Sequence, residues 1–236
     1  MSERTSPSSS ERRSFLTRLS TGVTAFAAAM AGSAVTGYGQ SAPAASWQPE
    51  RHEKDDWLER IPGKHRMLFD TTTADGLGDA LAFANNFLRT NRNEYGLQNN
   101  DIAVIMVMRH RSTGFAYNDA IWAKYGVQIS KRANFLDPKT KEAPKVNLLN
   151  LAKYDVELPN RGNTIDALVK QSVHLAVCSV ATRGIATAVA EATGGNADNI
   201  FGELVSNLLT TTAHMVPAGI VAVNRAQERG YSFVGG

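Results

Sequence analysis

Seven consecutive apolar residues, Ile102-Ala103-Val104-Ile105-Met106-Val107-Met108, leave no polar face along one stretch of this chain. The β-branched and apolar content of this run predicts a strand. A strand that does not alternate polar with apolar residues must be buried on both sides, as the central strands of parallel sheets are.

Four shorter runs predict the companion strands: His65–Asp70, His174–Cys178, His214–Val216 and Tyr231–Val234. Helical patterns separate them. After Thr72, Thr73 or Asp75 as cap, Leu77, Leu81, Phe83, Ala84, Phe87 and Leu88 recur at helical spacing, and Gly96 closes the segment. Ser112 or Thr113 is expected to cap a second helix that ends at Tyr125, with Gly126 as its stop. Residues 127–146, with Lys131-Arg132, Asp137-Pro138 and Lys139-Thr140-Lys141, read as a solvated loop. The weakly apolar 146–151 segment suits either a short helix or a strand. Further helices are expected over 163–170, 179–192 (interrupted by Gly184), 197–209 and 219–229. The expected fold is therefore α/β: a single doubly wound, mainly parallel five-stranded sheet with helices on both faces, joined by right-handed crossovers.

The amino terminus reads as an address. Arg12-Arg13-Ser14-Phe15-Leu16 precedes a weakly apolar stretch to about Val35, and Ala42-Pro43-Ala44 offers a small-residue cleavage site. This order is that of a secretory signal, and the arginine pair resembles the twin-arginine type. Residues 1–44 are expected to be that signal, 45–63 an amino-terminal arm with a short helix near Asp55–Arg60, and 64–236 the α/β domain. The resemblance to a twin-arginine signal implies export to a bacterial periplasm of a domain already folded, with no membrane span after cleavage. The chain has 25 Lys and Arg against 22 Asp and Glu; residues 1–44 hold four arginines and two glutamates, leaving 21 against 20. That balance makes no case for a nucleic-acid partner.

Ligands of open α/β sheets bind beyond the carboxyl ends of the strands. That rule collects Asp70, Arg109-His110-Arg111, Cys178-Ser179 and Pro217 on one rim. Cys178 is the single cysteine of the chain, so no internal disulfide can form. Placed where a helix begins, and with Arg109, His110, Arg111 and Arg183 as electrostatic supports, its thiolate would be favoured. The plain alternative is an inert cysteine packed at the end of an apolar strand.

The segments Leu175-Ala176-Val177-Cys178-Ser179-Val180-Ala181-Thr182-Arg183-Gly184-Ile185, Met215-Val216-Pro217-Ala218-Gly219-Ile220-Val221 and Gln227-Glu228-Arg229-Gly230-Tyr231-Ser232-Phe233-Val234 together resemble the carboxyl half of the DsrE/DsrF-like family. Met67-Leu68-Phe69-Asp70 and the helix after it fit the family's first unit. The resemblance implies a small α/β domain that forms homo-oligomers and takes part in sulfur relay. By position, the persulfide-carrying role falls on Cys178, with a sulfur donor or acceptor protein as partner. The 127–162 loop and the 197–209 helix exceed a minimal family domain. A non-catalytic module, holding a small ligand or protein on the same rim or the long loop, is the competing expectation.

No cofactor or metal is expected. Gly76-Leu77-Gly78 resembles a dinucleotide-binding start, but Leu81 stands where the third glycine belongs. His52, His65, His110, His174 and His214 lack zinc-type spacing; His174 and His214 are expected to satisfy backbone groups. Lys131-Arg132 and Lys139–Lys145 read as solvated charges rather than a patch for an anionic partner.

Overall fold

The apolar run is the middle of the sheet. In the computed structural model, which describes residues 48–236, it forms β2 (Ile102–Met108), buried at every position. The expected signal lies outside the described residues. On one side β2 pairs with β1 (His65–Thr71), and on the other with β3 (Val173–Cys178). β4 (Ala213–Val216) lies beyond β3, and β5 (Ser232–Gly235) beyond β1, giving the order β4-β3-β2-β1-β5. All four pairings are parallel.

Seven α-helices lie among the described residues: α1 (Trp57–Arg60), α2 (Ala74–Tyr95), α3 (Asp119–Ala133), α4 (Ile165–Val169), α5 (Ser179–Thr193), α6 (Ala197–Ser206) and α7 (Gly219–Gln227). The strand order explains where they sit. From β1 to β4 the chain steps across the sheet in one direction, so right-handed crossovers put α2 to α6 on one face. The step from β4 to β5 reverses direction and puts α7 on the other face.

Strand alternation splits the apolar side chains into two cores. Phe69, Val104, Met106, Met108, Leu175 and Val177 meet Leu77, Leu81, Ile121, Trp122, Ile185 and Leu204 of the helices on the first face. Leu68, Ile105, Val107, Ala176 and Val216 meet Ala222, Val223 and Ala226 of α7 on the second. Each fully buried Leu, Ile, Val or Met contributes ~1.5–3 kcal/mol relative to exposure.

The second core has another cover, the amino-terminal arm. Leu58 and Ile61 are buried in it. Arg66 turns back to donate to the carbonyls of Leu58, Ile61 and Gly63 at 3.0, 3.2 and 3.1 Å. The Tyr231 hydroxyl also donates to the Leu58 carbonyl, at 2.8 Å. The expected short helix is present as a 3-10 turn at Glu53–Asp55 followed by α1.

Three local expectations are corrected. Ser112 does not start an α-helix: Ser112–Ala116 is a 3-10 segment, and α3 begins later, where Asn118 accepts a hydrogen bond from the Ile121 amide. The cause lies far along the chain, since the Asn147 side chain donates to the Phe115 and Tyr117 carbonyls at 2.8 and 3.1 Å and holds that backbone open. Gly126 does not stop α3, which runs to Ala133 and carries Lys131 and Arg132 on its last turn. Gly184 does not interrupt α5. A side chain there would meet the guanidinium of Arg132 at 2.2 Å, so its bare backbone is where α3 and α5 approach. The 146–151 segment contains a single 3-10 turn, Leu148–Asn150.

Candidate functional site

The carboxyl ends of β1, β2 and β3 bring Asp70, Arg109 and Cys178 onto one rim. Cys178 ends β3 and is the N-cap of α5; its Sγ accepts the Ala181 amide at 3.4 Å. A sulfur at that position answers one of the open amides of the first helical turn and faces the positive end of the helix dipole. The thiol is 6% exposed.

Behind it stands a buried hydroxyl pair. The Thr182 hydroxyl donates to the Cys178 carbonyl at 2.9 Å and accepts from the Tyr117 hydroxyl at 2.8 Å. Burial holds the Tyr117 phenol far above its ordinary pKa, so it stays a donor. This support anchors the β3–α5 turn from a residue 61 positions upstream of Cys178.

Arg109, immediately after β2, grips Asp70 with two hydrogen bonds, Nε to Oδ1 and Nη2 to Oδ2, both 2.8 Å. The carboxylate is almost fully buried and the guanidinium about a quarter exposed. The Asp70 hydrogen bonds raise the guanidinium above its ordinary pKa, and Cys178 adds a smaller electrostatic contribution. The start of α7 rests on this arginine: a side chain on Gly219 would come within 2.5 Å of the Arg109 Cβ. The positive charge expected beside the thiol is thus present, but matched by Asp70.

The other expected supports point elsewhere. His110, at φ 57°, and Arg111 are exposed on the turn after β2. Arg183 pairs with Asp198 and lies over the Phe201 ring, 3.9 Å from its centroid, tying α5 to α6. Of the four expected supports, Arg109 alone carries an electrostatic link to Cys178 among the shifts resolved.

Gly76 and Gly78 lie inside the first turns of α2, where Thr73 is the cap. A side chain on Gly76 would strike Gly236 at 2.3 Å, and one on Gly78 would strike Pro159 at 2.4 Å. Close packing of chain on chain accounts for both glycines, and the space a dinucleotide would need beside them is filled by protein.

The expectation that His174 and His214 satisfy backbone groups is corrected: their rings bond each other. They share a hydrogen bond, Nδ1 to Nε2, of 3.1 Å, and Trp57 stacks on His214 with ring centroids 3.9 Å apart. The imidazole centroids are 5.4 Å apart and the ring planes 17° from parallel. The nitrogens therefore point at each other edge to edge. Burial lowers both pKa values, and His174 helps to press His214 down to about 4. The pair is neutral near pH 7 and joins the arm to β3 and β4. Among the described residues no three His, Cys, Asp or Glu side chains gather as metal ligands, and no helix is long and apolar enough to cross a membrane.

Thr182 was within reach of sequence reasoning, since a hydroxyl four residues after an N-cap can turn back onto it. Tyr117 and the histidine pair carried no such signal, because their partners lie 65 and 40 residues away. Comparisons with protein-family models, with curated proteins and with solved structures found no match to this chain.

Proposed function

We propose that this protein handles sulfane sulfur or thiols through Cys178, as an exported, periplasmic sulfur carrier working with a donor or acceptor protein. The observation that carries the reading is the Sγ of Cys178 placed as the N-cap of α5, 3.4 Å from the Ala181 amide. That position turns the sulfur, the nucleophilic atom of the exchange, toward an open amide of the first helical turn. The resemblance of residues 175–185, 215–221 and 227–234 to the DsrE/DsrF-like family supports it, as does Arg109 beside the thiol; self-association belongs to the same expectation.

The chemistry is a thiol exchange. The Cys178 thiolate attacks the outer sulfur of a donor persulfide, R–S–SH; the donor S–S bond breaks and R–S⁻ leaves, taking up the proton released when the Cys178 thiol ionised. The products are a Cys178 persulfide and R–SH, with no net oxidation. An acceptor thiolate then removes the outer sulfur in the same way. Incubation with a low-molecular-weight persulfide, followed by mass spectrometry, is expected to show one added sulfur atom on Cys178 and none in Cys178→Ser. An unmodified Cys178 overturns the reading.

The 6% exposure of the thiol favours a second reading, a non-catalytic ligand- or protein-binding module with a structural cysteine. It predicts a thiol that reacts with a disulfide reagent only after unfolding. Titration of the native protein separates the two.

A further inference from the structure

β5 is an open sheet edge with unusual chemistry. Its four residues, Ser232-Phe233-Val234-Gly235, are exposed and carry no charge and no proline, two of the devices by which edge strands avoid pairing. Phe233 is 45% exposed, Val234 36%, and Phe83 on the adjoining helix α2 50%. Val234 shares the Phe69 face of the sheet and lines a crevice with Phe69 and Phe83.

The hydrogen-bond phase of this edge is known from its inner side. The Gly236 amide donates to the Asp70 carbonyl and its carbonyl accepts from Thr72, so Gly236 faces β1. Backbone direction alternates along a strand, so Ser232 and Val234 also face β1, while Phe233 and Gly235 turn their N–H and C=O outward. None of the described residues pairs with that outer side.

We propose that two copies of this chain join through β5 about a two-fold axis at Val234, continuing the sheet from one copy into the other. The outward groups are self-complementary in one register: Phe233 opposite Gly235 of the second copy, and Gly235 opposite its Phe233. Each such pair exchanges two hydrogen bonds. The register also solves the packing. The Phe233 ring already leans over its own Gly235, where an added side chain would lie 3.2 Å from the ring. It therefore meets a glycine, not a side chain, across the interface. At the axis Val234 meets Val234, flanked by Phe83 from both copies. A residue near a two-fold axis faces its own copy, so a charge there would repel itself, and β5 has none. This inference does not depend on what Cys178 does.

Sedimentation of the full chain tests it. The expected mass is twice the 25.5 kDa of one chain, falling to one in Val234→Lys, with far-ultraviolet circular dichroism unchanged. A second variant reports on geometry rather than stability. In a Cys178→Ser background, Val234→Cys is expected to cross-link to itself on oxidation, because facing residues of a non-hydrogen-bonded pair lie about 4.5 Å apart at Cα, within disulfide range. Ser232→Cys is expected not to, since the two copies of that residue are separated by roughly four residues of strand, ~13 Å. A monomer throughout the micromolar range overturns the proposal. So does a dimer that is insensitive to Val234→Lys and leaves Val234→Cys uncrosslinked.

Discussion

Arg109 and Asp70 meet side by side at the ends of adjacent strands, with two hydrogen bonds of 2.8 Å. Such a fork fixes the guanidinium plane as well as its position. It also sets how much of the arginine's field reaches Cys178, because the nearest carboxylate offsets most of it. The rim is therefore poised near electrical balance, and changes to the pair should alter stability and thiol reactivity in opposite directions.

Asp70→Asn leaves Arg109 without its counter-charge. Removing one partner of a buried pair costs several kcal/mol, and the partial exposure of Arg109 reduces that here to about 2 kcal/mol. Urea unfolding measures the loss. The unmatched guanidinium should raise the rate at which the native thiol reacts with a disulfide reagent; an equal or lower rate would show that Arg109 does not act on Cys178.

Cys178→Ala removes the N-cap of α5 and should cost about 0.5–1 kcal/mol, whereas Cys178→Ser keeps an acceptor there and should come within about 0.5 kcal/mol of the parent. If the two variants melt together, the Ala181 contact contributes nothing to the helix.

Tyr117→Phe deletes one buried hydrogen bond and leaves the Thr182–Cys178 link in place. The expected loss is about 1 kcal/mol in chemical unfolding. Thr182→Val should lose more, because it strands the Tyr117 hydroxyl and frees the Cys178 carbonyl together.

The histidine pair should make stability depend on pH on the acid side. His214 has a native pKa of about 4 and His174 is also lowered, while the unfolded chain holds both near 6.5. The unfolded state therefore binds protons first as pH falls. Stability is full above about pH 6.5 and declines towards pH 4. Because both rings are partly exposed, the His214 contribution is about 1–2 kcal/mol after allowing for solvent screening. Unfolding curves between pH 7.5 and about 4.5 should flatten in His214→Gln; an unchanged slope would remove the pair as its source.

Gly219→Ala places a methyl group against the Arg109 Cβ and should push the start of α7 off the rim, at a cost of about 1–3 kcal/mol. Thermal melting beside Gly230→Ala is a poor control, since Gly230 has φ 79°; Gly202→Ala, with open space around it, is the proper one and should be neutral or stabilising.

The strands were legible because each is written locally. Ile102–Met108 reads as a doubly buried strand, and the shorter runs His174–Cys178 and Tyr231–Val234 mark strands by apolar content, although β5 proves to be an exposed edge. Gly96 marked a helix end, and Thr73 stood among the three caps offered, for equally local reasons. What misled were residues whose role is set by a distant neighbour. Gly184 looked like a helix defect because Arg132, 52 positions earlier, is invisible from its surroundings. Ser112 looked like a cap because the Asn147 side chain that prevents the helix lies beyond the loop. At the rim, Cys178 and Arg109 could be placed from strand ends alone. Only the folded chain shows that Asp70 takes up the charge of Arg109 and that Arg183 is held by Asp198.

The contact between the Tyr231 hydroxyl and the Leu58 carbonyl spans 173 residues. During synthesis, Leu58 leaves the ribosome long before its partner exists. At ~5–20 residues per second the delay is on the order of ten to thirty seconds. Over most of that interval neither core can close: the first needs Leu204, and the second needs Ala222, Val223, Ala226 and Tyr231. Folding of this domain therefore finishes at its carboxyl end, and any partner that recognises the completed sheet must wait for β5.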